Sequence, residues 1–479
     1  MTQQLLTMIN QLTLARLEAG IDERENLPYK ISELLPQNQK QEREAAEQFY
    51  RETVDRERKQ GHIVPFERLC QICDYHPMAK RMLELALAEY SYPQLKEYFR
   101  WLGLAEGVSL ELVQQLFWEK EEEQPDIYEQ KEAYKQVSKI LKSTQNGELF
   151  SRRIFSMDER IYQYLLGDNQ PEQSLCFFIN PEIFKGSLPL WIHESQAKEM
   201  EEYLLQGVKL FHLRGEQGNG KRHLIRYLCQ QYNFPLLEIN GKLLGHLEFP
   251  ELKEAVWGLK REMLLRESAL CIYNIKEFSQ TEKGWETCYL LKEVIEPLLD
   301  TDYPVFICSD KGSNLVMETE GFIGQLILEP LNRQERYALW KGFAKVWGLR
   351  DLQEEILSSK FRLNAKEIKK VASRLAFRQE REELTEEIIH QECMLLMKDN
   401  AMGNLKSEKT PQTLEELKLP QTQKDIIRHI VSHITYRYQV YDQWKLEKKY
   451  PYGKTVSALF TGPPGTGKTM AAHVIANML

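Results

Sequence analysis

The chain carries a glycine–lysine loop twice, and such a loop dictates what must stand on either side of it. The better copy is Gly462-Pro463-Pro464-Gly465-Thr466-Gly467-Lys468-Thr469. It follows the apolar run Val456–Thr461 and opens onto Met470-Ala-Ala-His-Val-Ile-Ala-Asn477. Glycines at this spacing let the backbone curl so that several N–H groups turn inward on one anion. A helix beginning near Lys468 aims the positive end of its dipole at the same point. Lys468 is placed to reach the outer phosphates of a nucleotide, and Thr469 offers its hydroxyl to Mg²⁺. The strand–loop–helix context that such a loop requires belongs to α/β folds with a parallel sheet covered on both faces.

The second copy lies upstream and is worn. Gly215-Glu-Gln-Gly218-Asn-Gly220-Lys221-Arg222 follows an apolar run ending at Leu213 and keeps all three glycines and the lysine. Arg222 stands where a Ser or Thr would hold Mg²⁺, and a guanidinium has no acceptor with which to coordinate a cation. At best its charge stands in for the metal's against a bound phosphate. Hydrolysis also needs an acidic pair at the tip of the following buried strand, one carboxylate for Mg²⁺ and one for the attacking water. The run Ala269–Tyr273 ends instead in Asn274-Ile275, and no arginine occurs between Asp310 and Leu328 to reach a neighbouring γ-phosphate. This first site is therefore expected not to hydrolyse. Two readings stay open for Gly215, Gly218, Gly220 and Lys221: a site that still holds nucleotide, or scaffold.

Hydropathy divides the chain into six parts. Residues 1–40 read as a helical segment broken at Pro28 and Pro36. Residues 41–150 read as a helical, winged-helix-like domain. It opens with an amphipathic helix over 41–60 that sets Ala45, Ala46, Phe49 and Val54 on one stripe, and the acidic run Glu119–Glu123 reads as a solvated face. Over 151–330, helical stretches alternate with the apolar runs Val208–Leu213, Leu236–Ile239, Ala269–Tyr273, Val305–Cys308 and Leu326–Leu328. That alternation predicts a parallel sheet. Residues 331–397 are expected to be helical throughout, a lid-like bundle, and 398–413 a linker. In the last part, 414–479, one long helix is expected over Gln421–Tyr441 and a strand over Val456–Thr461.

The remaining composition excludes more than it assigns. Net charge is −8, with no basic face of the kind that phosphate backbones require. The helical domain could be a helix-turn-helix reader of DNA, but the charge disfavours this, and protein docking is preferred. No apolar run approaches the roughly 20 residues of a membrane helix. The amino terminus lacks the basic flank and apolar block of a secretory leader. Eight scattered cysteines, Cys271 and Cys308 among them in apolar runs, fit a reducing, cytoplasmic setting. Cys70-Gln-Ile-Cys73 has metal-ligand spacing with His76 near. No second cysteine pair answers it, so two thiols one helical turn apart is the preferred reading.

With both loops in view, the chain resembles the AAA+ ATPases. More narrowly it resembles bacterial tandem ATPases with an amino-terminal winged-helix domain, some of them associated with contractile injection systems. The resemblance runs from about Val64 to Leu479. It rests on Ser151-Arg-Arg-Ile-Phe-Ser-Met-Asp-Glu-Arg-Ile-Tyr-Gln-Tyr-Leu-Leu-Gly167, Pro330-Leu-Asn-Arg-Gln-Glu-Arg336, Phe361-Arg-Leu-Asn-Ala-Lys-Glu-Ile368, Val440-Tyr-Asp-Gln-Trp444 and, most specifically, Ala458–Ala472. It implies ATP and Mg²⁺ as cofactors, a degenerate first module, an active second one, and a homo-oligomeric ring that unfolds or remodels a protein partner.

The chain departs from that pattern by ending at Leu479, ten residues after Thr469. Spacings taken from the first module, from Lys221 to Asn274 at the acidic position and to Ser309 at the sensor position, put the corresponding positions of the second beyond Leu479. The chain then reads as the front part of a longer ATPase, with no catalytic residue of its own and no turnover expected. Val456–Thr461 would lack its partner strands, and residues 445–479 are expected to be loosely held or to find makeshift packing. The alternative reading is a non-catalytic interaction protein whose first module docks a partner.

Overall fold

The structure, a computed structural model, describes residues 2–21, 43–62, 64–101, 107–118, 125–143, 149–176, 179, 188–275, 293–311, 323–350, 352–400, 412–436, 440, 444 and 456–478. The expected helix breaks at Pro28 and Pro36 and the acidic run Glu119–Glu123 lie outside these residues. The chain divides into two units, Met1–Glu329 and Pro330–Leu479.

The first unit holds a helical core and a sheet. Helices Thr2–Ile21, Arg43–Lys59, Pro65–Ile72, Pro77–Ser91, Gln94–Trp101, Leu110–Phe117 and Ile127–Val137 precede the sheet. Their caps are legible: Ser109 accepts from Leu112 N, and Asp126 with Glu129 forms a reciprocal capping box. The helical core gathers Phe66, Leu69, Cys70, Met82, Leu85, Phe99, Leu112 and Phe155. A short antiparallel ribbon, β1 (Lys142–Ser143) with β2 (Phe155–Ser156), sits on its edge. The ribbon spans the boundary expected at residue 150. Helix Glu159–Leu165 then stops at Gly167, whose φ of 95° is the left-handed conformation common just past a helix end.

All five apolar runs form strands: β3 (Leu210–Gly215), β4 (Leu236–Asn240), β5 (Ala269–Tyr273), β6 (Val305–Ser309) and β7 (Ile323–Leu328). They make one sheet in the order β4-β5-β6-β3-β7, and every pairing is parallel. Alternate residues face opposite layers. Leu210, Ile239, Leu270, Ile272, Val305 and Ile307 pack on helix Phe249–Arg266 and on Val294, Ile295 and Leu298. Phe211, Leu213, Cys271, Phe306 and Cys308 pack on helices Glu194–Leu205 and Lys221–Gln231. This is the two-sided burial that continuous apolar runs require. The chain leaves β3 toward the far edge, then returns strand by strand and crosses to β7. The direction therefore reverses at β3, which carries the first glycine–lysine loop at its carboxyl end.

Helix Phe249–Arg266 joins the helical core to the sheet. Leu252, Val256, Leu259 and Met263 enter the sheet core, and Leu265 enters the helical one. Its charged residues are buried as well. Arg261 and Glu262 are both 0% exposed. Glu262 takes a bidentate contact from Arg160 at 2.5 and 3.0 Å and one from Arg266 at 2.9 Å. Arg261 pairs with Asp158, and with Glu172 at 2.7 Å. Arg68 reaches Leu264 O, Tyr303 Oη and Glu267.

The second unit opens with four helices: Arg333–Trp347, Glu354–Lys360, Ala365–Gln379 and Glu386–Asn400. Two reciprocal capping boxes, Asn332 with Glu335 and Asn364 with Glu367, start the first and third. Both fall within sequence phrases already singled out. The buried side chains include Trp340, Ile368, Val371, Leu375 and Cys393. The bundle is interrupted at 348–353, 361–364 and 380–385 rather than helical throughout, and its last helix runs on through Asn400, inside the stretch read as linker.

Two expectations near the end are corrected. The helix expected over Gln421–Tyr441 ends at Thr435, and Tyr436 caps it in a turn. Val456–Thr461 is not a strand. Its residues have no ladder partner among the described residues, and Leu459 is 89% exposed, with Val456 and Phe460 also exposed. A strand gains its hydrogen bonds and its burial from neighbours, and the described residues supply none here. Helix Lys468–Met478 instead seats Ala471 and Val474 on Leu417 and Ile427, a core of only four buried residues. This is the makeshift packing expected of the segment.

Two outcomes follow. Glu262→Ala should destabilise the first unit by about 3–5 kcal/mol in denaturant unfolding, because Arg160 and Arg266 would be left with unpaired, largely buried charge. In hydrogen exchange, the amides of Val456–Phe460 should exchange faster than those of β3, β5 and β6 by several orders of magnitude. Equal protection in the two sets would contradict the unpaired segment.

Candidate functional site

The two glycine–lysine loops have the same backbone device. In the second, Gly465 and Gly467 have φ of 83° and 81°, three and one residues before Lys468; in the first, Gly218 and Gly220 have φ of 88° and 94°, three and one residues before Lys221. Lys468 Nζ donates to Gly462 O at 2.8 Å and Pro463 O at 2.6 Å. Lys221 Nζ donates to Gly215 O, and to Glu216 O at 2.9 Å, the equivalent carbonyls. A helix starts at each lysine, Lys221–Gln231 in one case and Lys468–Met478 in the other. The left-handed glycines turn consecutive N–H groups the same way, and the helix start adds its dipole, which together favour an anion.

What surrounds the loops differs. In the second loop Thr466 Oγ1 turns back on Pro463 O at 2.9 Å, and Thr469 is exposed in the first turn of the helix. Gly462, Pro463, Pro464, Gly465 and Thr466 are exposed as well. These residues fit a phosphate with its Mg²⁺: an open cradle, an ammonium held at the loop carbonyls beside it, and an exposed hydroxyl on the next residue. The residues after Thr469 include no carboxylate.

In the first loop the corresponding groups are committed to the protein. Arg222 donates to Glu238 on β4 at 2.6 Å and lies over the Tyr273 ring at 4.0 Å. Arg226 holds the same carboxylate at 2.5 and 2.7 Å. Burial alone would raise the Glu238 pKa, but the two arginines outweigh it and hold the carboxyl below its ordinary range. Arg222, read as at best a stand-in for the metal's charge, is here engaged with Glu238, a carboxylate that it shares with Arg226. Lys221 is pushed below the usual lysine range by burial, opposed by the charges of Cys308, Asp310 and Glu216.

The strand tips around the first loop carry no acidic pair. Asn274, at φ 59°, donates from Nδ2 to Asn240 Oδ1 at 3.2 Å. Ser309, the expected sensor position, bonds His212 Nε2 at 2.7 Å, with both side chains buried. Sequence reasoning missed this His212–Ser309 pair. Its only trace was a histidine at the third position of an apolar strand. The carboxylates that act on Lys221 are Glu216 of the loop itself and Asp310, one residue past β6, the latter a position that strand spacing did not single out.

Cys70 and Cys73 are fully buried in the helical core, and burial raises both thiols, Cys73 to about 12. Cys73 Sγ donates to Gln136 O at 3.5 Å. Among the described residues no group of three or more His, Cys, Asp or Glu side chains could hold a metal, and no helix is long and apolar enough to cross a membrane. A cavity of about 340 Å³ is lined by Val54, Arg58, His62, Val64, Glu67, Gln71 and Tyr75, none of them in either loop. Compared with known proteins, the chain matches no family model and no curated sequence.

The buried His212 sets a pH dependence. Burial, then the Arg214 charge, lowers its pKa from 6.5 to about 4. The neutral ring is thus favoured in the folded state. Its contribution is complete above pH 6.5 and is lost as pH falls toward 4, where the unfolded chain binds the proton and the folded one does not. Stability of the first unit should decline over that interval, and His212→Gln should flatten the slope in urea titrations at stepped pH. An unchanged slope would exclude His212 as its source.

Proposed function

We propose that residues 462–469 bind the phosphates of ATP with Mg²⁺. We further propose that the chain is part of a tandem AAA+ ATPase whose first module has lost its nucleotide chemistry. The observation that carries this reading is the repeat of one loop geometry at two places with opposite side-chain commitments. Both lysines hold the same two loop carbonyls, but Thr469 of the second loop is exposed where Arg222 of the first is held by Glu238, and Thr466 is exposed where Asn219 is buried against Leu328 O and Glu329 O. The parallel sheet supports the same reading. Its order places the first loop at the carboxyl end of the strand where connections reverse, the position at which open α/β sheets bind ligands. The helices after residue 332 are, on this reading, the lid of the first module.

In this assignment Lys468 supplies positive charge to the outer phosphates, the loop amides hold the phosphate oxygens, and Thr469 is the protein's ligand to the cation. Bound Mg²⁺ would supply charge neutralisation between the phosphates. The role in remodelling a protein partner, within a homo-oligomeric ring, is part of the same proposal and rests on the resemblance.

The test is binding of a fluorescent ATP analogue to the 479-residue chain. Lys468→Ala should weaken it by about 10- to 100-fold, the value of one charge-assisted hydrogen bond. Thr469→Ala should reduce its Mg²⁺ dependence, and Lys221→Ala should leave it unchanged. No phosphate release is expected from this chain. Binding that survives Lys468→Ala and is lost in Lys221→Ala would reverse the assignment.

A further inference from the structure

The first loop has a use that nucleotide does not explain. Asn219 stands where the second loop has Thr466, one residue before the last glycine. Thr466 closes on its own loop. Asn219 instead reaches across the sheet: its Nδ2 donates to Leu328 O at 3.1 Å and to Glu329 O at 2.6 Å. These carbonyls end β7 and the first unit. Asn219 is 1% exposed, so the bonds are shielded from water. Its own carbonyl oxygen is held by His193 Nε2 at 2.8 Å, from a buried histidine in left-handed conformation at φ 63°. Gly215, paired with Leu328, completes the junction. A Cβ there would come within 2.6 Å of Leu328 O, so β7 and the loop approach as closely as backbone allows.

We propose that Asn219 turns the worn loop into a staple. It fastens the carboxyl end of β7 to the end of β3, with His193 locking the loop from behind, and it does so without nucleotide. The loop's glycines are then retained for close approach and for the left-handed turns that aim Asn219, and Lys221 satisfies the carbonyls of the turn. β7 needs such a fastening because among the described residues it is the edge strand, with β3 its one neighbour, and Gln325 and Ile327 on one face are exposed. The staple stands whether or not the second loop binds ATP.

Hydrogen exchange on the full chain carrying Lys468→Ala tests it, since that background weakens the second loop's hold on nucleotide. Asn219→Ala should lower protection of the amides of β7 and of residues 215–221 by about tenfold or more, the worth of two lost donors. Protection at β4 and β5 should stay as it was. Asn219→Asp, which keeps the shape and removes the donors, should do the same and serves if the alanine variant folds poorly. Mg²⁺ with excess ATP should leave β7 and the loop unchanged in the Lys468→Ala chain. The proposal fails if either variant leaves β7 protection intact. It also fails if ATP alters protection at 215–221 in that background, which would make the loop a nucleotide site.

Discussion

A parallel strand has its hydrogen bonds and its burial only through its neighbours, and β3 has both neighbours. It pairs along its length with β6 on one side and β7 on the other, and its side chains alternate between two apolar layers. The first loop, the reversal of chain direction and the His212–Ser309 bond all take their positions from that strand. Val456–Phe460 has the same kind of sequence and the same kind of loop after it, yet no ladder partner among the described residues. The two segments separate what a loop specifies for itself from what a sheet must specify for it. The left-handed glycines and the lysine-to-carbonyl bonds appear in both copies, so they are local. The strand appears in one copy only, so it is not.

The helical core is bound to the sheet through charge as much as through apolar burial. Helix Phe249–Arg266 places Arg261 and Glu262, both inaccessible to water, between Arg160, Asp158 and Glu172 of the preceding segments and Arg266 of its own last turn. Such clusters add little net stability over a well-packed apolar equivalent, but an incomplete one is strongly unfavourable. In the placement seen here, helix Glu159–Leu165 brings Arg160 to Glu262 beside the apolar core that holds Leu265, Ile161 and Tyr164; a shift that parted Arg160 from Glu262 would leave buried charge unpaired.

Much of this fold could be read from the sequence, and the parts that could not share a cause. The five strands were legible because their apolar runs are short, continuous and bounded. The helix starts at Asn332 and Asn364 were legible because an asparagine followed three residues later by glutamate is a local signature. The loops were legible for the same reason. Val456–Thr461 was read both as a strand by its apolar run and as a segment without partner strands, and the second reading decides its conformation here; the α-helix from Gln421 ends at Thr435, a boundary that spacing along the chain does not mark. The charge cluster around Glu262 was invisible: Arg160 and Glu262 lie 102 residues apart in sequence, and each looks like an ordinary solvated charge on its own helix. The fate of Arg222 was half legible. Its unfitness for a cation follows from its chemistry, but its engagement with Glu238 and Tyr273 needed β4 and β5 beside it.

The two loops also differ in what their side chains meet. Where the second loop has the exposed Thr469, the first has Arg222 bonded to Glu238, which commits that residue to cohesion between the loop helix and β4. Where the second has Thr466, the first has Asn219, bonded toward β7. Each difference sets a group that meets protein where the other loop has one open to solvent, in a buried setting where a hydrogen bond left unmade is costly. A threonine at position 222 would remove one of the two arginines on Glu238, and one at 219 would take from Leu328 O and Glu329 O the donors that Asn219 supplies. A loop with those commitments is held in its shape by the sheet around it, so its glycines and lysine have a structural use that does not depend on a nucleotide.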